Sequence, residues 1–121
     1  MTLRVLDEWG KIVDDDNPIV TEHNGTTGDI VTLPLTLLND SAQHYYKNIQ
    51  LNVNPSYPVS AALLVQSDPV PNYLPQKTIR RINPKETIRF NLQTSIPPNT
   101  PEQIIRRGIN IQINAMRYPL F

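Results

Sequence analysis

The chain has 121 residues, no cysteine, and eleven acidic and eleven basic residues that give a formal net charge of zero. This length predicts one domain with one core, residues 1–121, and the lack of cysteine excludes disulfides and thiolate metal sites. No apolar run is long enough for a signal peptide or a membrane-spanning helix, so we expect a protein that folds in a reducing cytoplasm and does not bind a membrane.

Alternation of apolar and polar residues recurs along the whole chain, whereas helical periodicity is almost absent. The candidate strands, in chain order, are LRVL, PIVTEH, DIVTLPLTLLND, YYKNIQLNVN, AALLVQ, KTIRRI, ETIRFNLQTSI and GINIQINA. Turn-forming Asn, Asp, Gly, Pro and Ser separate them. Only TPEQIIRRG favours a short helical turn. Because one face of each strand is polar, the pattern predicts an all-β fold, an antiparallel β-sandwich of about seven to nine strands.

The alternation also predicts which side chains form the core. Tyr45 is predicted to face inward with the apolar residues that follow it in the same strand. Pro34 interrupts a strand and cannot donate a ladder hydrogen bond, so that strand is expected at an edge or with a bulge. The predicted core residues are Val31, Leu33, Leu35, Leu37, Ile49, Leu51, Val53, Ile88, Phe90, Leu92, Ile109, Ile111 and Ile113.

The zero net charge conceals an asymmetry between the halves of the chain. Residues 1–48 carry eight acids and three bases, which gives −5, and residues 49–121 carry three acids and eight bases, which gives +5. The two sets either interleave in the fold and cancel, or they form a dipolar domain whose acidic patch meets the basic patch of a neighbour. Complementarity of the second kind orders an assembly more than it adds affinity.

Few residues offer chemistry. The run Asp14, Asp15 and Asp16 is a weak candidate for a calcium site, but it lacks the spacing and glycine of a calcium-binding loop, which favours a solvated turn. His23 and His44 stand in no recognisable nucleophile context, so both are predicted to be surface residues and no catalytic residue is assigned.

No binding site for a nucleotide or nucleic acid is predicted either. The chain has four glycines and no glycine-rich phosphate loop. The pairs Arg80–Arg81 and Arg106–Arg107 lack the aromatic-rich basic stripe of a nucleic-acid surface. We therefore expect neither a cofactor nor a small-molecule substrate.

The ends of the chain are candidate assembly contacts. Residues 1–18 form an N-terminal arm with the first strand, and residues 116–121 form an apolar C-terminal tail, where chain ends are usually polar. This tail either fills the end of the core or is an exposed contact. Aromatic residues and arginine are enriched at interface hot spots. The interface candidates are Trp9, Arg106, Arg107, Tyr118, Leu120 and Phe121.

Two segments carry a resemblance to a known family. GDIVTLPLTLLNDSAQHYYKNIQLNV and IRRINPKETIRFNLQTSIPPNTP resemble the immunoglobulin-like modules of bacterial adhesion proteins and phage virions. The second resembles their late hairpin, whose Leu-x-Pro-Gly-Glu-Thr turn leads into a long strand ending in Pro-Pro. Here Lys85 stands where that turn usually has glycine. The resemblance implies an immunoglobulin-like β-sandwich.

EHNGTTGD, followed by LLND and YYKNI, also resembles small structural proteins of tailed bacteriophages. This resemblance implies a non-enzymatic virion protein, a capsid decoration (auxiliary) protein or a neck or tail component. Its partners would be other virion proteins and further copies of itself, and it would reach the virion after synthesis in the host bacterial cytoplasm. The alternative is a cell-surface, adhesion-type binding module, and an enzyme is the third and least supported reading.

Overall fold

The computed structural model describes residues 3–66, 68, 72–100 and 104–120. These residues form nine β-strands and no helix, and so no helix with the length and apolar character to cross a membrane. Each strand pairing is antiparallel. The strands are β1 Leu3–Leu6, β2 Ile19–Asn24, β3 Asp29–Asn39, β4 His44–Val53, β5 Ser60–Val65, β6 Gln76–Ile82, β7 Thr87–Ile96, β8 Ile104–Ile109 and β9 Ile111–Pro119.

The strands form a four-stranded sheet of order β1-β3-β7-β5, a three-stranded sheet of order β6-β4-β9, and the ribbon β2-β8. One cluster of buried apolar residues draws on all three, including Phe90 and Leu92 from β7, Ile49 and Leu51 from β4, and Ile105 from β8. The predicted all-β antiparallel fold is confirmed, and sheets that bury one face each around a shared core are consistent with a β-sandwich.

Most of the predicted core is confirmed. Every predicted residue is buried in the cluster or packs against it except Val31, which is half-buried near the start of β3. The expectation for Pro34 is also confirmed, because β1 pairs with β3 only from Thr36 to Asn39. On that side Pro34 therefore lies at a free edge, where a missing N–H costs nothing.

The predicted inward position of Tyr45 is wrong, because β4 contains a bulge. Its register with β9 shifts between Lys47 and Gln50, and Asn48 adopts a left-handed conformation with φ of 51°. The extra residue reverses the alternation, so Tyr46 is 1% exposed in the core and Tyr45 lies on the outer face. Asparagine is among the non-glycine residues that most readily adopt this conformation.

The expected helical turn in TPEQIIRRG is also wrong over its described part. Residues 101–103 lie outside the described residues, and Ile104–Ile109 form β8, paired with β2. Ile105 and Ile109 are both buried. Residues four apart share a face in a helix and also in a strand, so their spacing does not distinguish the two structures.

Two turns at one end of the molecule are joined through buried Asn39. Its Nδ2 donates to the carbonyl oxygens of His44, at 2.9 Å, and Asn83, at 3.0 Å. Its Oδ1 accepts the backbone N–H of Ser41 at 3.1 Å, and its own N–H donates to the carbonyl of Glu86. The β3–β4 and β6–β7 connections are therefore held to each other by one side chain.

Lys85 occupies the turn position that usually requires glycine. The N–H of Glu86 donates to the carbonyl of Asn83, and Lys85 has a φ of 60° after Pro84, as in a type II turn. Lys85 Nζ donates to the carbonyl and carboxylate of Asp40, at 2.9 and 3.1 Å. This bond and the charge of Lys85 hold the pKa of Asp40 below its usual value. The side chain thus adds a second link between the same two turns.

Replacing Asn39 with alanine should leave two backbone carbonyls and one N–H without their partner. Unsatisfied buried groups cost about 1–3 kcal/mol each, so we expect Asn39→Ala to lower the free energy of unfolding by about 3 kcal/mol in urea denaturation. Asn54→Ala, at an exposed position, is the matched control and should change it by less than about 0.5 kcal/mol. Equal stability of the two variants would contradict the role assigned to Asn39.

Candidate interaction surface

The outer face of the three-stranded sheet carries a group of aromatic and basic side chains. The bulge in β4 turns Tyr45 and Lys47 to this face, and the register places Tyr118 opposite Tyr45 and both Met116 and Arg81 opposite Lys47. We call these five residues the aromatic–cation patch. Adjacent strands bring cross-strand neighbours within side-chain contact, so three separate segments of the chain contribute to one surface.

The patch is ordered by contacts between rings and cations. The rings of Tyr45 and Tyr118 stack with centroids 5.3 Å apart and an interplanar angle of 16°. Lys47 Nζ lies 5.8 and 5.7 Å from the two centroids, and Arg81 Cζ lies 4.1 Å from that of Tyr45. Arg81 Nε also donates to Asn83 Oδ1 at 2.7 Å. Cation–π attraction thus fixes the positions of the charges without neutralising them.

The three strands of this sheet contain no acidic residue. Among their bases, Lys77 is 5% exposed, and its Nζ contacts Asp68 at 3.0 Å and Asn72 at 2.6 Å. The remaining bases form no ion pair with any residue that the structure describes, and all are exposed. They are Lys47, Arg80, Arg81 and Arg117. Lys47 and Arg81 lie on the outer face, whereas Arg117 lies opposite buried Tyr46 and so belongs to the other face of the sheet. The outer face therefore keeps an uncompensated positive charge.

The acidic run of Asp14, Asp15 and Asp16 forms a turn with Asn17. Asp14 Oδ1 accepts the backbone N–H groups of Asp16 and Asn17, each at 2.9 Å. The described part of the chain contains no group of three or more His, Cys, Asp or Glu side chains that could hold a metal ion. Oxygen Oδ1 of Asp14 is therefore occupied by hydrogen bonds within its own turn. The carboxylates of Asp15 and Asp16 are exposed and have no hydrogen-bond partner among the described residues.

Within the N-terminal arm, Asp7 holds the residues that precede this turn in place. Its Oδ1 accepts the N–H of Trp9 and of Lys11, both at 2.9 Å, and its Oδ2 accepts Asn17 Nδ2 at 3.1 Å. The hydrogen bond from Asn17 is the largest cause that holds the pKa of Asp7 below its ordinary value. Trp9 is nevertheless 77% exposed. The arm is therefore an ordered loop that presents an indole ring to solvent.

A cleft of about 480 Å³ lies between β1, the arm and the start of β9. Arg4, Asp14 and Asp15 are its charged residues, and Arg4 already contacts Asp40 at 3.4 Å. The other lining side chains are mostly aliphatic, so no set of polar groups converges on a ligand. The aliphatic residues are Leu3, Val5, Ile12, Val13, Ile19, Ile109, Ile111 and Ile113.

The prediction that His23 is a surface residue is wrong. Its side chain is 1% exposed, with Nδ1 bonded to Asp29 Oδ1 and Nε2 2.9 Å from Thr94 Oγ1. Burial acts to raise the pKa of Asp29, but the N–H of Asn24, the hydrogen bond from His23 and the charge of that ring together lower it. Alternation with buried Thr21 places His23 on the inner face of β2, where only a polar partner makes it tolerable.

This acid, imidazole and hydroxyl series resembles the order of groups in a hydrolase triad, but the hydroxyl cannot reach a substrate. Thr94 is 1% exposed, inside β7. The network instead joins β2 to the start of β3 at Asp29 and to the end of β7 at Thr94, and so connects the ribbon to the four-stranded sheet. His44 is half-buried and its Nδ1 lies 3.2 Å from Ser41 Oγ, within the turn that it closes.

The structure does not gather the predicted interface residues in one place. Arg106 is exposed on β8 opposite Glu22, Arg107 is half-buried, and Phe121 lies outside the described residues. Tyr118 belongs to the aromatic–cation patch, whereas Trp9 lies on the arm. The remaining candidate, Leu120, is 43% exposed.

The apolar tail continues β9. The strand extends to Pro119, and the N–H of Leu120 donates to the carbonyl of Gln43 at 2.9 Å. Tyr118 lies on the outer face of the sheet and stacks on Tyr45. In its described part the tail therefore neither fills the core nor hangs free, and its aromatic ring forms part of the surface.

Tyr45, Lys47 and Arg81 were not identified from the sequence. The available signal was Asn48, a residue that favours bulges and turns, within a run that alternates regularly on either side of it. Comparisons with protein-family models, curated proteins and solved structures find no match to this chain. The interpretation of the surface therefore depends on its geometry.

The role of Thr94 is testable with a nearly isosteric change. Thr94→Val removes the hydroxyl that contacts His23 and leaves a buried ring nitrogen unsatisfied, so we expect a loss of about 1–3 kcal/mol in the free energy of unfolding. Thr87→Val, an exposed position in the same strand, is the control and should change it by less than about 0.5 kcal/mol. A Thr94→Val variant as stable as the wild type would show that the hydroxyl makes no structural hydrogen bond.

Proposed function

We propose that this chain is a non-enzymatic structural protein that acts through protein–protein contacts. The observation that carries the proposal is the aromatic–cation patch, an ordered surface with exposed cations and half-buried rings on the outer face of the three-stranded sheet. Tyrosine and arginine are enriched among the residues that dominate binding energy at interfaces. An interaction protein needs such a preorganised surface, because little side-chain freedom is then lost on binding.

The side chains that could take part in catalysis also support a non-enzymatic role. The His23 network is closed to solvent at Thr94, and the Asp14 carboxylate caps its own turn. The cleft beside β1 has aliphatic walls and no convergent acid–base pair. In the described residues, each of these groups is accounted for by a structural role.

We propose further that the setting is the virion of a tailed bacteriophage, where the chain serves as a capsid decoration protein or a small neck or tail component. The resemblance of EHNGTTGD and the LLND and YYKNI segments to phage structural proteins supports this setting. A surface built for contacts on a small all-β domain suits such a component. Its partners would be other virion proteins and copies of itself.

The immunoglobulin-like identity of the sandwich is part of this proposal. The order β1-β3-β7-β5 resembles the A-B-E-D order of one sheet of constant-type immunoglobulin domains if the ribbon strands β2 and β8 are both set aside, and adjacent β4 and β9 then take the places of C and F. The strand β6 departs from this pattern, since it pairs with β4 although β5 of the other sheet precedes it in the chain.

The second candidate is an adhesion-type binding module at a cell surface. It is favoured by the amide side chains beside the stacked tyrosines on the same sheet face, since amides donate and accept hydrogen bonds and rings offer stacking surfaces. These amides, in register across β4 and β9, are Gln50, Asn52, Gln112 and Asn114.

The test is quantitative mass spectrometry of gradient-purified particles and of washed envelopes from a bacterial culture that expresses the gene. The virion proposal predicts that the chain comigrates with the particles in a constant ratio to their major shell protein. Recovery in the envelope fraction, within a larger exported polypeptide, would contradict that proposal and support the adhesion module. The ratio should persist after a salt wash, which serves as the control for adsorption.

A further inference from the structure

We propose that the aromatic–cation patch binds the N-terminal acidic arm of a second copy of this chain, in a head-to-tail contact. The acidic arm is the loop of residues 7–17. This inference goes beyond the proposed function and does not depend on it, because the contact would form between isolated copies in solution as well as in a virion or at a cell surface.

The patch supplies the basic half of the contact. Lys47 and Arg81 are exposed and have no acidic partner among the described residues. Their positions are fixed by the rings of Tyr45 and Tyr118. Positioned cations beside two stacked aromatic rings favour a ligand with carboxylates and a ring of its own.

The arm supplies such a ligand. It contains five acids and one base, Lys11, and so carries a charge of −4. The carboxylates of Glu8, Asp15 and Asp16 accept no hydrogen bond from any described residue. Trp9, next to Glu8, is 77% exposed. The arm thus presents free carboxylates and an indole ring on a loop whose shape is already fixed by Asp7.

The two surfaces cannot meet within one molecule. Asp14 and Asp15 line a cleft with Ile111 and Ile113, at the start of β9, whereas Tyr118 lies near its end. From Ile113 of the cleft to Met116 of the patch, three residues of strand span about 10 Å at the usual rise of a β-strand, and the two side chains lie on opposite faces of the sheet, since Ile113 packs against the core. An ion pair requires atoms within about 4 Å of each other. The opposite charges therefore stay separated in each copy.

A second copy satisfies both surfaces. The acidic arm of the second copy supplies the negative charge that the three-stranded sheet lacks. The patch of that second copy remains free and can bind the acidic arm of a third copy. A contact between two different surfaces of identical copies is heterologous, so it closes into a ring or extends as a filament. The zero net charge of the chain is consistent with such an assembly, because each added copy brings equal amounts of both signs.

Sedimentation velocity of the intact chain at about 50 mM NaCl tests the proposal, since surface electrostatics are weakly screened there. We expect concentration-dependent association of the wild type that weakens at least about tenfold near 500 mM NaCl. Lys47→Glu on the patch, and Trp9→Ala with Asp15→Asn and Asp16→Asn on the arm, should each give a monomer. Arg89→Ala removes an exposed positive charge outside the patch and should associate like the wild type.

An equimolar mixture of the patch variant and the arm variant separates this contact from other modes of association. The patch variant keeps an intact arm and the arm variant keeps an intact patch, so the mixture should form dimers and nothing larger. A wild type that stays monomeric near 1 mM at low salt, where even weak contacts with Kd near 1 mM are detectable, would overturn the proposal. So would association that survives in either variant alone, or a mixture that stays monomeric. Circular dichroism and melting temperatures equal to those of the wild type would show that the variants are folded.

Discussion

A single left-handed residue decides which side chains of β4 face the core and which face outward. Asn48, at φ 51°, adds one residue to the strand between Lys47 and Gln50, so the alternation before it is the reverse of the alternation after it. The neighbouring strand β6 follows the same change, since two exposed arginines separate buried Ile79 from buried Ile82. The bulge places Tyr46 in the core and leaves Tyr45 and the bases outside. The aromatic–cation patch, and with it the proposed function, depends on this one irregularity.

The sequence predicts regular strands well, because alternation responds directly to burial on one face. It predicts the core around Leu35, Leu51 and Leu92 and the free edge at Pro34. It fails where a local or distant contact overrides the pattern. The position of Tyr45 depends on a bulge that leaves no periodic signal, and the burial of His23 depends on Asp29 and on Thr94, which lies 71 residues away in the chain. The interface candidates at the ends of the chain are predicted from residue type alone, so their division between two surfaces could not be predicted.

The fold also bears on the charge asymmetry of the chain. Among the described residues, Asp40 with Lys85 is the one ion pair between an acid of the first 48 residues and a lysine or arginine of the remainder. The acids of the arm and the bases of the three-stranded sheet lie at opposite ends of β9. The acids of the arm and the unpaired bases of this sheet are therefore separated in three dimensions, although Glu22 lies opposite Arg106 and Asp40 pairs with Lys85. This separation is the physical basis of the proposed contact between copies.

Reaction of the native protein with tetranitromethane, mapped by mass spectrometry, tests the position of the bulge most directly. Tyr57 is 87% exposed and provides the internal standard for full reactivity. If the extra residue is Asn48, Tyr45 and Tyr118 react in the native state, whereas Tyr46 reacts only after denaturation. Nitration of native Tyr46 as fast as Tyr45 would contradict the reversed alternation and, with it, the surface on which the proposed contacts depend.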